Sequence, residues 1–255
     1  MTLKKLNQTS SKSDKISHHG YHRFYSRFLD EMREHPIQML EIGIDREESM
    51  KLWSEYFPKA TIHGADIKKY PSSERITMHQ LDQSDAGQLS EFADQFTESF
   101  DFILDDGSHV PEHQILTLEQ LWKCLKPGGI FIIEDIETNY WGKSVIYGYA
   151  FDSNRYNLLA YLSSAVDHIN SEFSGLASPK HPVFAELESM TFGHNCIVLE
   201  KKSPRYEQFY SRPYRFGHLQ NCRTLFKRAH HAYKRLIQGH PRAAWRALTK
   251  QSYLR

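Results

Sequence analysis

Between residues 38 and 135, short apolar runs mostly alternate with amphipathic stretches, a pattern that calls for a parallel sheet covered by helices on both faces. The runs are 38–44 (QMLEIGI), 61–67 (TIHGADI), 76–80, 100–104 (FDFIL) and 130–133, and the helical stretches are 49–57, 86–96 and 111–125. Pro58 closes the first of these helices, Pro111 opens the third, and KPGG follows the third, the usual asymmetry of helix start and stop signals. Ahead of the sheet, residues 21–33 place Tyr21, Phe24, Tyr25, Phe28, Leu29 and Met32 at helical spacing before Pro36. Beyond it, 153–173 reads as a further helix, and 183–190 and 195–201 read as a closing hairpin joined near Gly193. The expected fold is a doubly wound α/β sheet of about seven strands, mostly parallel with a C-terminal antiparallel hairpin, with helices on both faces.

Composition supports one folded domain with additions. The 255 residues are 40% hydrophobic and 25% charged, which excludes a disordered, collagenous or disulfide-framework chain. The formal net charge of +1 hides a split, because 203–255 holds 12 Arg and Lys against the acid Glu207. That leaves about +11 on the tail and about −10 on the body. The expected division is a polar segment and cap helix over 1–35, with the first dozen residues flexible, the α/β domain over 36–202, and a basic, aromatic-rich helical extension over 203–255. Helical patches fall at 224–237 and 243–248.

Such a tail suits docking on the acidic body first and contact with a membrane surface second. Nucleic acid ranks last, since no base-reading motif accompanies the charge. Cys124, Cys196 and Cys222 lack metal or redox spacing and read as buried thiols of a reducing compartment. No apolar run approaches the roughly 20 residues of a membrane span, and the start of the chain lacks a secretory signal. The expected location is cytoplasmic, peripheral to a membrane if the tail binds one. A homo-oligomer is compatible with the sequence.

The ends of the runs carry the chemistry, as ligand sites of open α/β sheets lie at the carboxyl ends of their strands. Glu41 and Gly43 sit at the first strand-to-helix turn, and Asp66 follows Gly43 by 23 residues. That is near the spacing at which an acid meets a ribose hydroxyl pair. The fourth and fifth runs lead into DDGSH (105–109) and IIEDIE (132–137), bringing Asp106, Glu134 and Asp135 to adjacent strand tips. Carboxylates so placed repel one another unless a cation sits between them. All-oxygen ligation suits Mg²⁺; a solvated acid-rich loop is the alternative. His109, three residues after Asp106, is placed to act as a general base, and His113 either orients it or faces solvent.

These stretches resemble the class I S-adenosylmethionine-dependent methyltransferases: LEIGIDREESMKLWSEYFP, HGADI, LDQSD, FDFILDDGSH, LKPGGIFIIEDIETNYW and the hairpin. More narrowly, residues 13–202 are similar to the metal-dependent sugar O-methyltransferases of macrolide tailoring and their cephalosporin-biosynthesis relative. The resemblance implies a Rossmann-like fold, S-adenosylmethionine as methyl donor and Mg²⁺ on Asp106, Glu134 and Asp135, with His109 as base. It places Glu41, Gly43 and Ser49 in the cofactor turn, Asp66 at the ribose, and Asp82 and Gln83 near the adenine, with Asp105 also on the cofactor side. Asp14, Lys15, His19 and Tyr21 match a pattern that would cap the site. The implied reaction is methylation of a hydroxyl on a sugar, glycosylated small molecule or glycan. A catechol-type methyltransferase, with Tyr140 and Trp141 as an apolar wall, and a non-catalytic binding protein on the same scaffold are the alternatives. The family commonly has glycines where this chain reads Asp45, Arg46, Glu47 and Glu48, so this turn is expected to take positive φ less easily.

Overall fold

Alternate residues of the central strands feed two separate cores. Met39, Phe102, Leu104, Ile130 and Ile132 point to one face of the sheet, and Leu40, Ile42, Ile103, Phe131 and Ile133 to the other. Burial on both faces is why these strands read as continuous apolar runs instead of alternating ones. The computed structural model describes residues 2–6, 13–141, 157–170 and 181–204, all within one compact unit, Met1–Tyr206. Cys222, the helical patches at 224–237 and 243–248, and the surface contact expected of the basic extension lie outside the described residues.

The strands are β1 (Gln38–Ile42), β2 (Thr61–Asp66), β3 (Ile76–Gln80), β4 (Phe100–Asp105), β5 (Leu125–Glu134), β6 (Leu187–Phe192) and β7 (Cys196–Lys201). They form one sheet in the order β3-β2-β1-β4-β5-β7-β6. The pairs among β1 to β5 are parallel, and β7 runs antiparallel to both β5 and β6. This is the expected Rossmann-like doubly wound sheet with its closing hairpin. Chain order reverses at β1, and the edge between β1 and β4 is the switch point at which such sheets bind ligands.

The helices are α1 (Leu3–Leu6), α2 (Asp14–Ser17), α3 (His22–Leu29), α4 (Glu48–Tyr56), α5 (Ala86–Gln95), α6 (Pro111–Leu121), α7 (Leu158–Ser163), α8 (Ala165–Ile169) and α9 (Pro182–Glu186). Residues of α1, α3 and α4 line one core, and those of α5 to α9 the other. Asp85 caps α5, its carboxylate accepting from the backbone N–H of Gly87 at 2.8 Å and of Gln88 at 3.1 Å.

Several local expectations change. KPGG is not a loop after a helix. It lies inside β5, where the register slips from Phe100↔Leu125 to Phe102↔Ile130, and Gly128 at φ +79° lets the extra residues loop out. The stretch 183–190 divides, with Pro182 starting α9 and β6 beginning only at Leu187, because proline's fixed φ favours a first helical turn. Within 153–173 the described residues form two short helices, α7 and α8. The polar start of the chain is also partly core, since Leu3 and Leu6 are buried against the α3–α4 face. Cys124 and Cys196 are buried free thiols. No helix of the described residues is long and apolar enough to cross a membrane.

Gly43 makes the switch point possible. Its φ is +90°, and a Cβ there would lie 2.0 Å from the backbone oxygen of Asp106. On either side, Gly43 N–H donates to Ala65 O at 2.8 Å and Asp106 N–H donates to Ile42 O at 2.9 Å. Gly43→Ala is expected to cost about 3 kcal/mol or more, from strain plus overpacking against backbone, read as a lowered midpoint in denaturant unfolding.

Candidate active site

The carboxyl ends of β1, β2, β4 and β5 surround a cleft of about 870 Å³. Its lining includes Gly43, Ser49, Asp66, Asp82 and Gln83 together with Lys15, Asp106, His109, Glu134 and Asp135. Most of the residues singled out from the sequence therefore share one cavity. Glu41 and Asp105 do not line it; both are fully buried behind it.

At the end of β2, Asp66 accepts from the backbone N–H of Ile44 at 2.9 Å and of Lys68 at 2.8 Å. Each carboxylate oxygen keeps a lone-pair direction for a ligand hydroxyl. The Gln83 amide donates to Asp105 Oδ1 at 2.7 Å, and its oxygen accepts from Ser108 N–H at 2.8 Å. Gln83 thus ties the loop after β3 to the loop after β4, and Asp105 serves as the inner anchor of that tie. Burial pushes the Asp105 carboxyl up to about 7. Asp45 and Glu47 take left-handed φ of 44° and 61° without being glycine. The turn therefore does reach positive φ, at a cost of roughly 1 kcal/mol for each residue. The Tyr70 hydroxyl holds it by donating to Asp45 O at 2.7 Å.

At the tip of β5, residue parity separates neighbours in sequence. Glu134 points to the face covered by the N-terminal segment, where the Tyr25 hydroxyl and the Lys15 ammonium both donate to it, the latter at 2.7 Å. Asp135 follows in a left-handed conformation, φ 54°, and turns into the cleft. Its Oδ1 accepts from the Tyr21 hydroxyl at 2.5 Å and from Asn195 Nδ2 at 3.0 Å. His109, also left-handed at φ 57°, brings Nε2 to 3.6 Å from Asp135 Oδ2, and its buried Nδ1 has no hydrogen-bond partner among the described residues. His113 pairs with Ser108 Oγ at 2.9 Å and does not orient His109.

Asp106, His109 and Asp135 each offer a ligand atom, and the three atoms lie within 4.8 Å of one another. Two carboxylates and an imidazole fit a hard or borderline divalent ion. Glu134 is not in that group, because its oxygens face Lys15 and Tyr25.

Lys15, 2% exposed, reaches Glu41 at 3.2 Å, Glu134 at 2.7 Å and Asp106. Burial works against its charge but is outweighed by Asp106, Glu134 and Glu41, which hold its pKa well above the ordinary lysine value. Burial lifts Glu41 and Glu134 to about 7, although Lys15 opposes the shift in both. Asp106 is raised for the same reason. Tyr25 and Asn195 escaped sequence reading. Tyr25 looked like core, and Asn195 carried only the mark of a turn residue suited to its positive φ of 61°.

The sheet order is that of a Rossmann-like methyltransferase fold, and residues 18–136 match a family model described as a methyltransferase domain. The chain is 31% identical over 196 residues to demethylmacrocin O-methyltransferase of Streptomyces fradiae, a match covering 72% of this chain and 49% of that protein. It is 28% identical over 202 residues to 8-demethyl-8-alpha-L-rhamnosyl tetracenomycin-C 2'-O-methyltransferase of Streptomyces olivaceus, covering 75% and 52%. The chain spans about half the length of these curated relatives. Among solved structures, MycE methyltransferase from the mycinamycin biosynthetic pathway, in complex with Mg, SAH and mycinamycin VI, matches with a TM-score of 0.70. That match has 27% identity and covers 80% of this chain and 54% of that one.

The raised carboxyls set a sign for metal binding. A proton and a divalent ion compete for the Asp106 oxygens, and burial makes that carboxyl hold its proton to higher pH than usual. Saturating Mg²⁺ is therefore expected to raise Tm more at pH 8 than at pH 6 in thermal melts.

Proposed function

We propose that this chain transfers the methyl group of S-adenosylmethionine to a hydroxyl of a sugar or glycosylated small molecule, with Mg²⁺ on Asp106 and Asp135, with the third acid expected there, Glu134, paired instead to Lys15 and Tyr25, and with His109 left unligated as general base. The observation that carries the reading is the shared cleft. Asp66, with lone pairs free for a ribose, and the Asp106–His109–Asp135 group line the same cavity. The relatives support the acceptor class, since the Streptomyces olivaceus enzyme is named for 2'-O-methylation of a rhamnosyl compound, and MycE is in complex with Mg, SAH and mycinamycin VI.

A sugar hydroxyl is a poor nucleophile at neutral pH. A divalent ion at the carboxylates supplies Lewis acidity to a coordinated hydroxyl. Asp106 and Asp135 would hold that ion, with Glu134 beside them paired to Lys15. His109 accepts the hydroxyl proton as the oxygen attacks the methyl carbon and the carbon–sulfur bond breaks. Asp135, 3.6 Å from His109 Nε2, stabilises the imidazolium that results. Asp66 and the turn through Gly43 orient the donor, and Gln83 braces the loop that carries His109. Asp45 and Glu47 already hold positive φ, which supports a working cofactor turn over a scaffold that has lost one.

Calorimetry with S-adenosylmethionine is expected to show binding in the micromolar range, and absence of binding would overturn the reading. His109→Ala is expected to lower kcat by about 10²–10⁴ while leaving that binding within a few-fold. Chelator or Asp106→Asn is expected to abolish transfer. A screen of glycosides beside catechols identifies the acceptor; turnover of catechols alone would replace the sugar acceptor with an aromatic one.

A further inference from the structure

We infer that Lys15 is a resident cation of the acidic cleft, a positioning residue that holds Glu41, Asp106 and Glu134 together when no metal ion is bound. It thereby couples the order of the N-terminal segment to the metal site. Lysine is almost never fully buried unless paired, yet Lys15 is 2% exposed. Its ammonium is the meeting point of acids from the ends of three strands: Glu41 of β1 at 3.2 Å, Asp106 after β4, and Glu134 of β5 at 2.7 Å. Glu41 and Glu134 are 0% and 1% exposed, so without Lys15 each would be a buried charge lacking a cation.

The segment that delivers Lys15 is itself fastened to the site. Tyr21 N–H donates to Lys15 O at 2.8 Å, and the Tyr21 hydroxyl donates to Asp135 at 2.5 Å. The Tyr25 hydroxyl donates to Glu134. Tyr21 stacks on His19 at 5.1 Å and on Tyr25 at 5.7 Å, and Tyr25 packs at 6.0 Å on Trp53, whose indole N–H donates to Glu41 at 3.1 Å. Lys15 thus reaches Asp106, one of the carboxylates of the proposed ion. One ammonium against Glu41, Asp106, Glu134 and Asp135 leaves negative charge for a divalent ion to balance, and only this last step rests on the metal reading above.

The test is a double-variant cycle in the full chain, with thermal melts in chelator and then in saturating Mg²⁺. In chelator, Lys15→Met is expected to lower Tm by about 5 °C or more. The charge-balanced Lys15→Met/Glu134→Gln double variant is expected to lose clearly less than the two single losses combined, because removing both signs leaves fewer unpaired charges. A residue that only fills space gives additive losses. Additive losses, or a double variant that fails to fold while both singles fold, would overturn the proposal. In Mg²⁺, the Lys15→Met chain is expected to recover more than half of its loss. If Mg²⁺ does not raise the Tm of the unsubstituted chain, the metal reading fails, and the cycle in chelator still decides the role of Lys15.

Discussion

Crowding of negative charge at one edge of a parallel sheet is the constraint on which this structure turns. Parallel strands all end on the same side. The registers Ile42↔Asp105 and Asp105↔Ile133 bring the tips of β1, β4 and β5 level. Glu41, Asp105 and Glu134 are then buried beside Asp106 and Asp135, which line the cleft. Two like charges 5 Å apart at an effective dielectric of 20 repel by about 3 kcal/mol, so the fold needs counter-charge and donors at this edge. Lys15, Tyr21, Tyr25 and Trp53 supply them, three of the four from the stretch ahead of the first strand. That stretch is as much part of the site as the strand tips.

Backbone strain gathers at the same place. Of the non-glycine residues described with positive φ, Asp45, Glu47, His109, Asp135 and Asn195 sit at or beside the cleft, and Glu98 lies elsewhere. Such conformations cost of order 1 kcal/mol each and persist where surrounding contacts over-determine them. Asp135 shows why they are kept. An ordinary β conformation would send its side chain to the face opposite Glu134, into the apolar core with Ile133. The left-handed turn instead aims it at His109 and Asp106. Asn195 accompanies that turn, donating to both Asp135 and Tyr21 from the hairpin.

The sheet was legible because its physics is local. Strands buried on both faces must be apolar along their length, and helices over them must be amphipathic, so run length and period reveal each element. The misjudged stretches, KPGG inside β5 and Pro182 opening α9, are places where a proline or glycine signal fits two conformations and only strand pairing selects one. The candidate site was legible as an inventory of acids at strand ends. Which acid does what was not, because adjacent residues of a strand face opposite ways. Glu134 looks to Lys15 and Tyr25, while Asp105 looks to Gln83.

The amino-acid sequence by itself determined the doubly wound sheet, the edge that carries the chemistry and the methyltransferase likeness, since each follows from patterns within a few residues of the chain. Tertiary structure decided the rest. It set Lys15 among three carboxylates 26, 91 and 119 positions away, gave Tyr25 a polar duty beyond its apolar packing, and placed Asp105 and Glu41 behind the cleft wall. Those outcomes depend on which strands become neighbours and on their register. Electrostatic pairing acts through space, and distance along the chain carries no record of it.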